Sequence, residues 1–205
     1  MKIVVAAADR QWAELTSGPQ EINWIRVADP NLFLDHPDAS AFFNLINTNV
    51  SAGLARLQKP VFINAVSITL KELNAPTCVL RFNGWTGFIQ RPSWELAGII
   101  DENVRTVFAR LNKTIIAVAD EPGLVAARII SMIINEAFFT IGEGVSSRDE
   151  IDIAMKLGTN YPFGPFQWVD SIGPKNLVEL LQNLMLHDKR YQPAPLLLIE
   201  AENII

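Results

Sequence analysis

The chain has 205 residues, 49% of them hydrophobic and 19% charged, with a formal net charge of −5. This length can bury a core in one large domain or two small ones, and the acidic balance without a basic cluster disfavours nucleic acid as a partner. A single cysteine, Cys78, excludes a disulfide framework. The longest apolar stretch, 123–141, is interrupted by Arg128, Asn135 and Glu136, so we expect no membrane span, and without a secretory signal we expect a cytoplasmic protein.

The first part of the chain alternates short β-rich segments with helical stretches. The predicted strands, each bounded by Pro, Asn, Asp or Gly, are KIVVAAA, INWIRVA, NLFLD, PVFINAV, TCVLRF and TIIAVAD. Helical periodicity of apolar residues, including Phe42 and Phe43, predicts helices over 38–57 and 92–111. This alternation indicates βαβ units and a mainly parallel sheet, and the first strand running into a turn and helix is typical of a dinucleotide-binding fold.

From residue 122 onward the pattern is helical only. An apolar helix is predicted over 124–141, with Arg128, Ser131 and Asn135 as its polar stripe. We therefore predict an α/β class: a reduced Rossmann-like, mainly parallel sheet domain over 1–121, followed by an all-α helical domain over 122–205.

Local signals mark two further helices in the second domain. Ser147 and Glu150 form a capping box, and the helix that they start is expected to stop at Gly158. Pro174 opens the next helix, whose apolar face consists of leucines.

The segment EIDIAMKLGTNYPFGPFQWVDSIG, residues 150–173, closely resembles the C-terminal domain of the 3-hydroxyacyl-CoA dehydrogenase family. The segments ENVRTVFARLNKTIIAVADEPGLVAARI and RYQPAPLL extend the resemblance, which runs almost continuously over 101–196. It implies an N-terminal Rossmann domain for NAD and a helical domain that forms a homodimer. It also implies oxidation of 3-hydroxyacyl-CoA in fatty acid metabolism by a His–Glu pair that Ser and Asn support.

Carried onto this sequence, the glycines of the family's G-x-G-x-x-G turn fall on Ala7, Asp9 and Trp12. Each substitution is unfavourable for a pyrophosphate, and a carboxylate at Asp9 repels it. Asp29 stands at the spacing of the ribose-binding acid, or else is a turn residue before Pro30.

The resemblance places Leu80 or Arg81 where the family has its catalytic histidine, and Glu95 where it has its glutamate. Glu95 is the candidate catalytic residue, with a surface or helix-cap role as the alternative. Arg81 cannot abstract a proton because it stays protonated. We expect Arg81 and Glu95 to face one another as a charge pair, or else to face a shared ligand.

The family's catalytic asparagine corresponds to Ala127, with Arg128 retained beside it. The predicted ligand cleft, suited to an anion, comprises Asn64, Arg81, Asn83 and Arg128. No metal site is predicted.

Three functions are consistent with these residues. The first is an active 3-hydroxyacyl-CoA dehydrogenase with an altered site. The second is a catalytically inactive homologue, with cofactor and catalytic motifs largely lost, that binds an acyl-CoA or another anionic ligand. The third is a dimeric interaction module, whose surface anchors would be Trp85, Phe88, Trp94, Phe163, Phe166 and Trp168. The alternative for these aromatic side chains is the hydrophobic core, where such residues are more often found.

Overall fold

The computed structural model describes residues 1–18, 21–48 and 52–203. The chain divides into two compact units, Met1–Leu124 and Val125–Ile205. The predicted boundary at Glu121 lies close to this division.

The described residues of the first unit form a seven-stranded sheet in the order β2-β1-β3-β4-β5-β6-β7. Its strands are β1 Lys2–Ala6, β2 Asn23–Val27, β3 Ala41–Asn44, β4 Val61–Asn64, β5 Val79–Phe82, β6 Ser93–Ala97 and β7 Thr114–Ala117. The pairing of β5 with β6 is antiparallel and every other pairing in this sheet is parallel. The predicted fold class, a mainly parallel sheet followed by helices, is confirmed.

The central strands are mostly apolar because both faces of the sheet are covered, with Asn44, Asn64 and Arg81 as their polar residues. One face carries an aromatic cluster in which Phe43 stacks on Phe62 at 4.7 Å and Phe82 stacks on Trp94 at 5.1 Å between ring centroids. This cluster also contains residues of α1, Asp9–Thr16, and α2, Glu102–Leu111. The opposite face buries a second apolar cluster.

One predicted helix and one predicted strand are wrong, and a second predicted helix is confirmed only over its C-terminal half. Residues 41–44 form β3 instead of a helix, since Phe42 and Phe43 belong to the cores on opposite faces of the sheet. The segment NLFLD lies in a 3₁₀ helix, Pro30–Asp35. The start of the predicted 92–111 helix is β6, and α2 begins only after Asp101, whose carboxylate accepts the Val104 N–H. The other predicted strands are confirmed, and residues 49–51 of the predicted 38–57 helix lie outside the described residues.

The second unit is helical over its described length. Its helices are α3 Ala126–Gly142, α4 Arg148–Thr159, α5 Pro165–Ile172, α6 Pro174–Met185 and α7 Pro195–Asn203, with a 3₁₀ turn at Lys189–Tyr191. The predicted capping box is confirmed. The Glu150 N–H donates to the Ser147 hydroxyl, and the Ser147 N–H donates to the Glu150 carboxylate. The predicted start of a helix at Pro174 is also confirmed.

Packing in the helical unit depends on one close backbone approach. Asp152 of α4 is buried and caps the start of α5 by accepting the N–H groups of Phe166 at 2.8 Å and Gln167 at 3.2 Å. A Cβ at Gly164 would lie 2.3 Å from this carboxylate, so only glycine fits. Among the described residues no helix is long and apolar enough to cross a membrane.

Candidate functional site

The strand order places a candidate site at the carboxyl ends of β1 and β3. In the sheet, β2 lies on one side of β1 and β3 lies on the other side. The strand order therefore reverses between β1 and β3. In open α/β sheets ligands bind in the crevice at this point. Helix α1 begins directly after β1, so its N-terminus faces the same edge.

The turn between β1 and α1 is built from side chains of both signs. Asp9, in the first turn of the helix, pairs with Arg26 of β2 at 2.6 Å. The same Arg26 nitrogen donates to the Ala7 carbonyl at 2.8 Å, and the guanidinium lies 5.6 Å from the centre of the Trp12 ring. The helix N-terminus, which favours anions, therefore already has a carboxylate beside it.

Gln11 closes the crevice from the α1 side. Its amide nitrogen donates to the Leu45 carbonyl, just beyond β3, at 3.1 Å and to the Gly84 carbonyl, beyond β5, at 2.9 Å. Its amide oxygen accepts the Ala8 N–H at 3.3 Å. One side chain thus links the start of α1 to the carboxyl ends of two other strands.

Residues 84–91, here called the strap, lie against α1 at the same edge. The Gly84 N–H donates to Asn64 at 3.0 Å, and a Cβ at Gly84 would lie 2.9 Å from the Asn64 Cβ. Both carboxylate oxygens of Glu14 lie 2.9 Å from the Gly87 N–H. Burial raises the pKa of Glu14, against the opposing effects of this hydrogen bond and the charge of Arg10.

The strap also contributes to the core. Trp85, Phe88 and Ile89 are buried, and the Ile89 carbonyl accepts both the Trp94 indole N–H and the Lys113 ammonium at 3.0 Å. Burial lowers the pKa of Lys113. The strap is therefore fixed from both sides.

Arg81 of β5 is fully buried and its terminal nitrogens have acceptors. One binds the Asp120 carboxylate at 2.9 Å, and the other binds the carbonyls of Val66 at 3.1 Å and Glu121 at 2.9 Å. Burial lowers the pKa of Arg81, while Asp120 acts in the opposite direction. The predicted Arg81–Glu95 charge pair is therefore wrong, because the ion-pair partner is Asp120.

Glu95 lies on β6, half-buried, one register step beyond the pairing of Phe82 with Leu96. Asn83 directly follows β5, and its amide oxygen accepts the Trp85 N–H at 3.1 Å. The Asn83 amide nitrogen is buried without a hydrogen-bond partner in the part of the chain that the structure describes. Burial lowers the pKa of nearby Arg91, and the Glu95 charge opposes this. The catalytic role of Glu95 stays a prediction.

The remaining predicted site residues lie elsewhere. Asp29 caps the Pro30–Asp35 helix by accepting the Asn31 N–H at 2.7 Å, and its ribose-binding role stays a prediction. Arg128 belongs to the helical unit, where its guanidinium lies 5.8 Å from the centre of the Tyr191 ring. The structure thus brings Asn64 and Asn83 together at the carboxyl edge of the sheet and buries Arg81 beneath that edge. Arg128 lies in α3 of the helical unit.

Sequence reasoning missed two of the residues that shape this edge. Gln11 carries no recognisable motif, and Asp120 is 39 residues from Arg81 in the chain. The core alternative for the aromatic set is the one observed for five of its members: Trp85, Phe88, Trp94, Phe166 and Trp168 are buried, and Phe163 is 42% exposed.

Comparison with known proteins finds matches that centre on the helical unit. Residues 123–202 match the family model described as "3-hydroxyacyl-CoA dehydrogenase, C-terminal domain". The chain is 45% identical over 87 residues to 3-hydroxyadipyl-CoA dehydrogenase of Escherichia coli, a match that covers 42% of this chain and 18% of that protein. It is 31% identical over 145 residues to human mitochondrial hydroxyacyl-coenzyme A dehydrogenase, covering 64% of this chain and 46% of that protein.

The helical unit is similar to the C-terminal domain of the 3-hydroxyacyl-CoA dehydrogenases. The chain spans less than half the length of these two curated relatives. Solved structures share the fold over nearly the whole chain: the FadB2 structure of M. tuberculosis has a TM-score of 0.76 at 17% identity, covering 98% of this chain and 93% of that chain. The (S)-3-hydroxybutyryl-CoA dehydrogenase PaaH1 of Ralstonia eutropha has a TM-score of 0.69 at 20% identity, covering 97% and 92%.

The family resemblance makes NAD the cofactor to test against this edge. A diphosphate needs unoccupied N–H donors and a close backbone approach at the β1–α1 turn. Here Asp9 supplies negative charge and Gln11 spans the crevice. The residues present do not fit the diphosphate of NAD in that mode.

Proposed function

We propose that this chain is a catalytically inactive homologue of the 3-hydroxyacyl-CoA dehydrogenases. The observation that carries the proposal is the Gln11 amide, which occupies the crevice by bonding to Leu45 and Gly84. The interactions of Asp9 and Arg26 at the same turn support it, because a bound diphosphate would have to displace a carboxylate.

The basic side chains of the first unit also argue against dehydrogenation. Arg81 donates all its observed hydrogen bonds and cannot accept a proton from a hydroxyl. His36 follows the 3₁₀ helix and precedes β3, so it lies at the amino edge of the sheet, away from the crevice. The described residues therefore place no histidine at the carboxyl edge of this unit.

The ligand that we propose for such a homologue is an acyl-CoA or a related anion. Among the predicted ligand residues of the first unit, the buried amide nitrogen of Asn83 has no hydrogen-bond partner in the described chain. The amide oxygen of Asn64 and the terminal nitrogens of Arg81 are engaged within the protein.

Calorimetry and an enzyme assay test this proposal. We expect no NAD binding at submillimolar concentration and no NADH formation from 3-hydroxybutyryl-CoA, while acetoacetyl-CoA raises the melting temperature. A micromolar dissociation constant for NAD would overturn the inactive-homologue proposal in favour of the active enzyme. NADH formation by the wild type, without the Gln11→Ala substitution, would do the same.

A second candidate, a dimeric interaction module, is favoured by apolar residues exposed on the helical unit. Val125 and Ile129, one helical turn apart, are 48% and 54% exposed. We propose that α3 forms a homodimer contact through them. Light scattering should give about twice 22.8 kDa.

Ile129→Glu should shift that mass toward the monomer. Val145→Glu is the matched control, since Val145 is also exposed, at 68%, but lies beyond the end of α3. A wild-type monomer, or equal effects of the two variants, would contradict the α3 contact.

A further inference from the structure

The amino edge of the sheet, opposite the crevice, carries a groove of about 470 Å³. One wall is a face of α2 formed by Asn103, Thr106, Val107 and Arg110, and the other wall includes Ser40 and Lys59 from the starts of β3 and β4. This volume lies within the range of sites that hold small organic ligands. A smaller cavity of about 60 Å³ continues the groove past Lys59 and Asn103.

The groove is locally positive in a chain whose net charge is −5. In the described part of the chain neither Lys59 nor Arg110 has a carboxylate within ion-pairing distance. Glu21 is the acid among the lining residues of the larger groove. Asp101, which lines the smaller cavity, accepts hydrogen bonds from the Val104 N–H and the Asn103 amide.

The two cations lie toward opposite ends of the groove. Lys59 lines the smaller cavity together with residues from the start of α2, whereas Arg110 is in the last turn of that helix. The seven residue-to-residue steps of helix from Asn103 to Arg110 correspond to about 10 Å along the axis. The other lining residues include the apolar Val107 and the hydroxyl-bearing Ser40 and Thr106.

We propose that this groove binds an elongated small molecule with an anionic group at each end. Lys59 pairs with one end group and the Arg110 guanidinium with the other, where its fork suits a carboxylate or a phosphate. The apolar and hydroxyl-bearing lining of the groove accommodates a chain of about 10 Å. The site is separate from the crevice at the carboxyl edge and does not depend on the proposed loss of dehydrogenase activity.

Isothermal calorimetry with four probes of matched length tests the proposal on the full chain. The probes are suberate, 1,6-hexanediol bisphosphate, octanoate as the single anion, and 1,8-octanediol as the neutral molecule. We expect at least one of the two dianions to bind at least about tenfold more tightly than octanoate, and the diol not to bind. The tighter dianion identifies the end group as carboxylate or phosphate.

Lys59→Ala and Arg110→Ala should each weaken dianion binding by about tenfold. Arg105→Ala is the control, because Arg105 is an exposed cation of the same helix and does not line the groove. Backbone amide shifts on titration should cluster at 40, 59 and 103–110. Absence of binding by both dianions at millimolar concentration, equal affinity for octanoate, equal loss in Arg105→Ala, or shifts at Gln11 and the strap would each overturn the proposal.

Discussion

Replacing Asp120 by alanine leaves the buried Arg81 guanidinium without its carboxylate. Arg81 is inaccessible to solvent and Asp120 is 29% exposed at its side chain. Breaking a buried pair by removing one partner costs about 3 to 5 kcal/mol. We expect the lower end of that range, because the carbonyls of Val66 and Glu121 still accept from Arg81 and because the replaced carboxylate is partly hydrated.

The same substitution removes two backbone contacts of the carboxylate. Asp120 accepts the Leu70 N–H at 3.1 Å and the Lys71 N–H at 3.3 Å, so the loop after β4 should loosen as well. Urea unfolding followed by tryptophan fluorescence should show a loss of about 3 kcal/mol. The melting temperature should fall by about 6 to 12 °C.

Two further variants separate the buried charge from the loop. Arg81→Met combined with Asp120→Ala should recover much of the lost stability, because it removes the unpaired charge. Asp38→Ala, which breaks the exposed Lys2–Asp38 pair, should leave the unfolding midpoint unchanged. If Asp120→Ala costs less than about 1 kcal/mol, or the double variant is less stable than the single one, the reasoning about Arg81 is refuted.

Other substitutions test the close contacts at each unit. Gly84→Ala should cost about 1 to 3 kcal/mol in urea unfolding because its Cβ meets Asn64; a neutral effect would show that the strap can shift. Gly164→Ala should cost a similar amount, about 1 to 3 kcal/mol, through Asp152, and combining it with Asp152→Ala should cost less than the two single losses together. Because burial raises the folded-state pKa of Glu14 above 4.5, wild type should lose stability relative to Glu14→Gln as pH rises through that raised value. Urea midpoints of both proteins across this range would contradict the assignment if their difference stayed constant.

Local chemistry determined much of the helical unit before any tertiary contact was considered. The Ser147–Glu150 capping box starts α4 and Pro174 starts α6, because both signals act within one turn of the helix. The end of α4 differs slightly from the Gly158 prediction: the helix continues to Thr159, and Asn160 takes the left-handed conformation at φ 56°. Asparagine tolerates this conformation nearly as glycine does, so either residue could end the helix.

In the first unit, the local sequence of two segments was compatible with more than one secondary structure. The periodicity around Phe42 and Phe43 is compatible with a helix or with a buried strand. The tertiary structure selects the strand, because it buries Phe42 in the core on one face of the sheet and Phe43 in the core on the other. The NLFLD segment has strand-like composition, but the Asp29 cap and Pro30 make it a 3₁₀ helix.

The site was the part least accessible from the sequence. The resemblance assigns Ala7, Asp9 and Trp12 to the positions of the family glycines, and these residues predicted an unfavourable turn for a pyrophosphate. That Gln11 bridges Leu45 and Gly84, and that Arg81 pairs with Asp120 instead of Glu95, depends on residues 34 to 73 positions apart in the chain. Caps and helix starts are fixed by neighbours in sequence, whereas the partner of a buried polar group is whichever acceptor the folded sheet brings within about 3 Å.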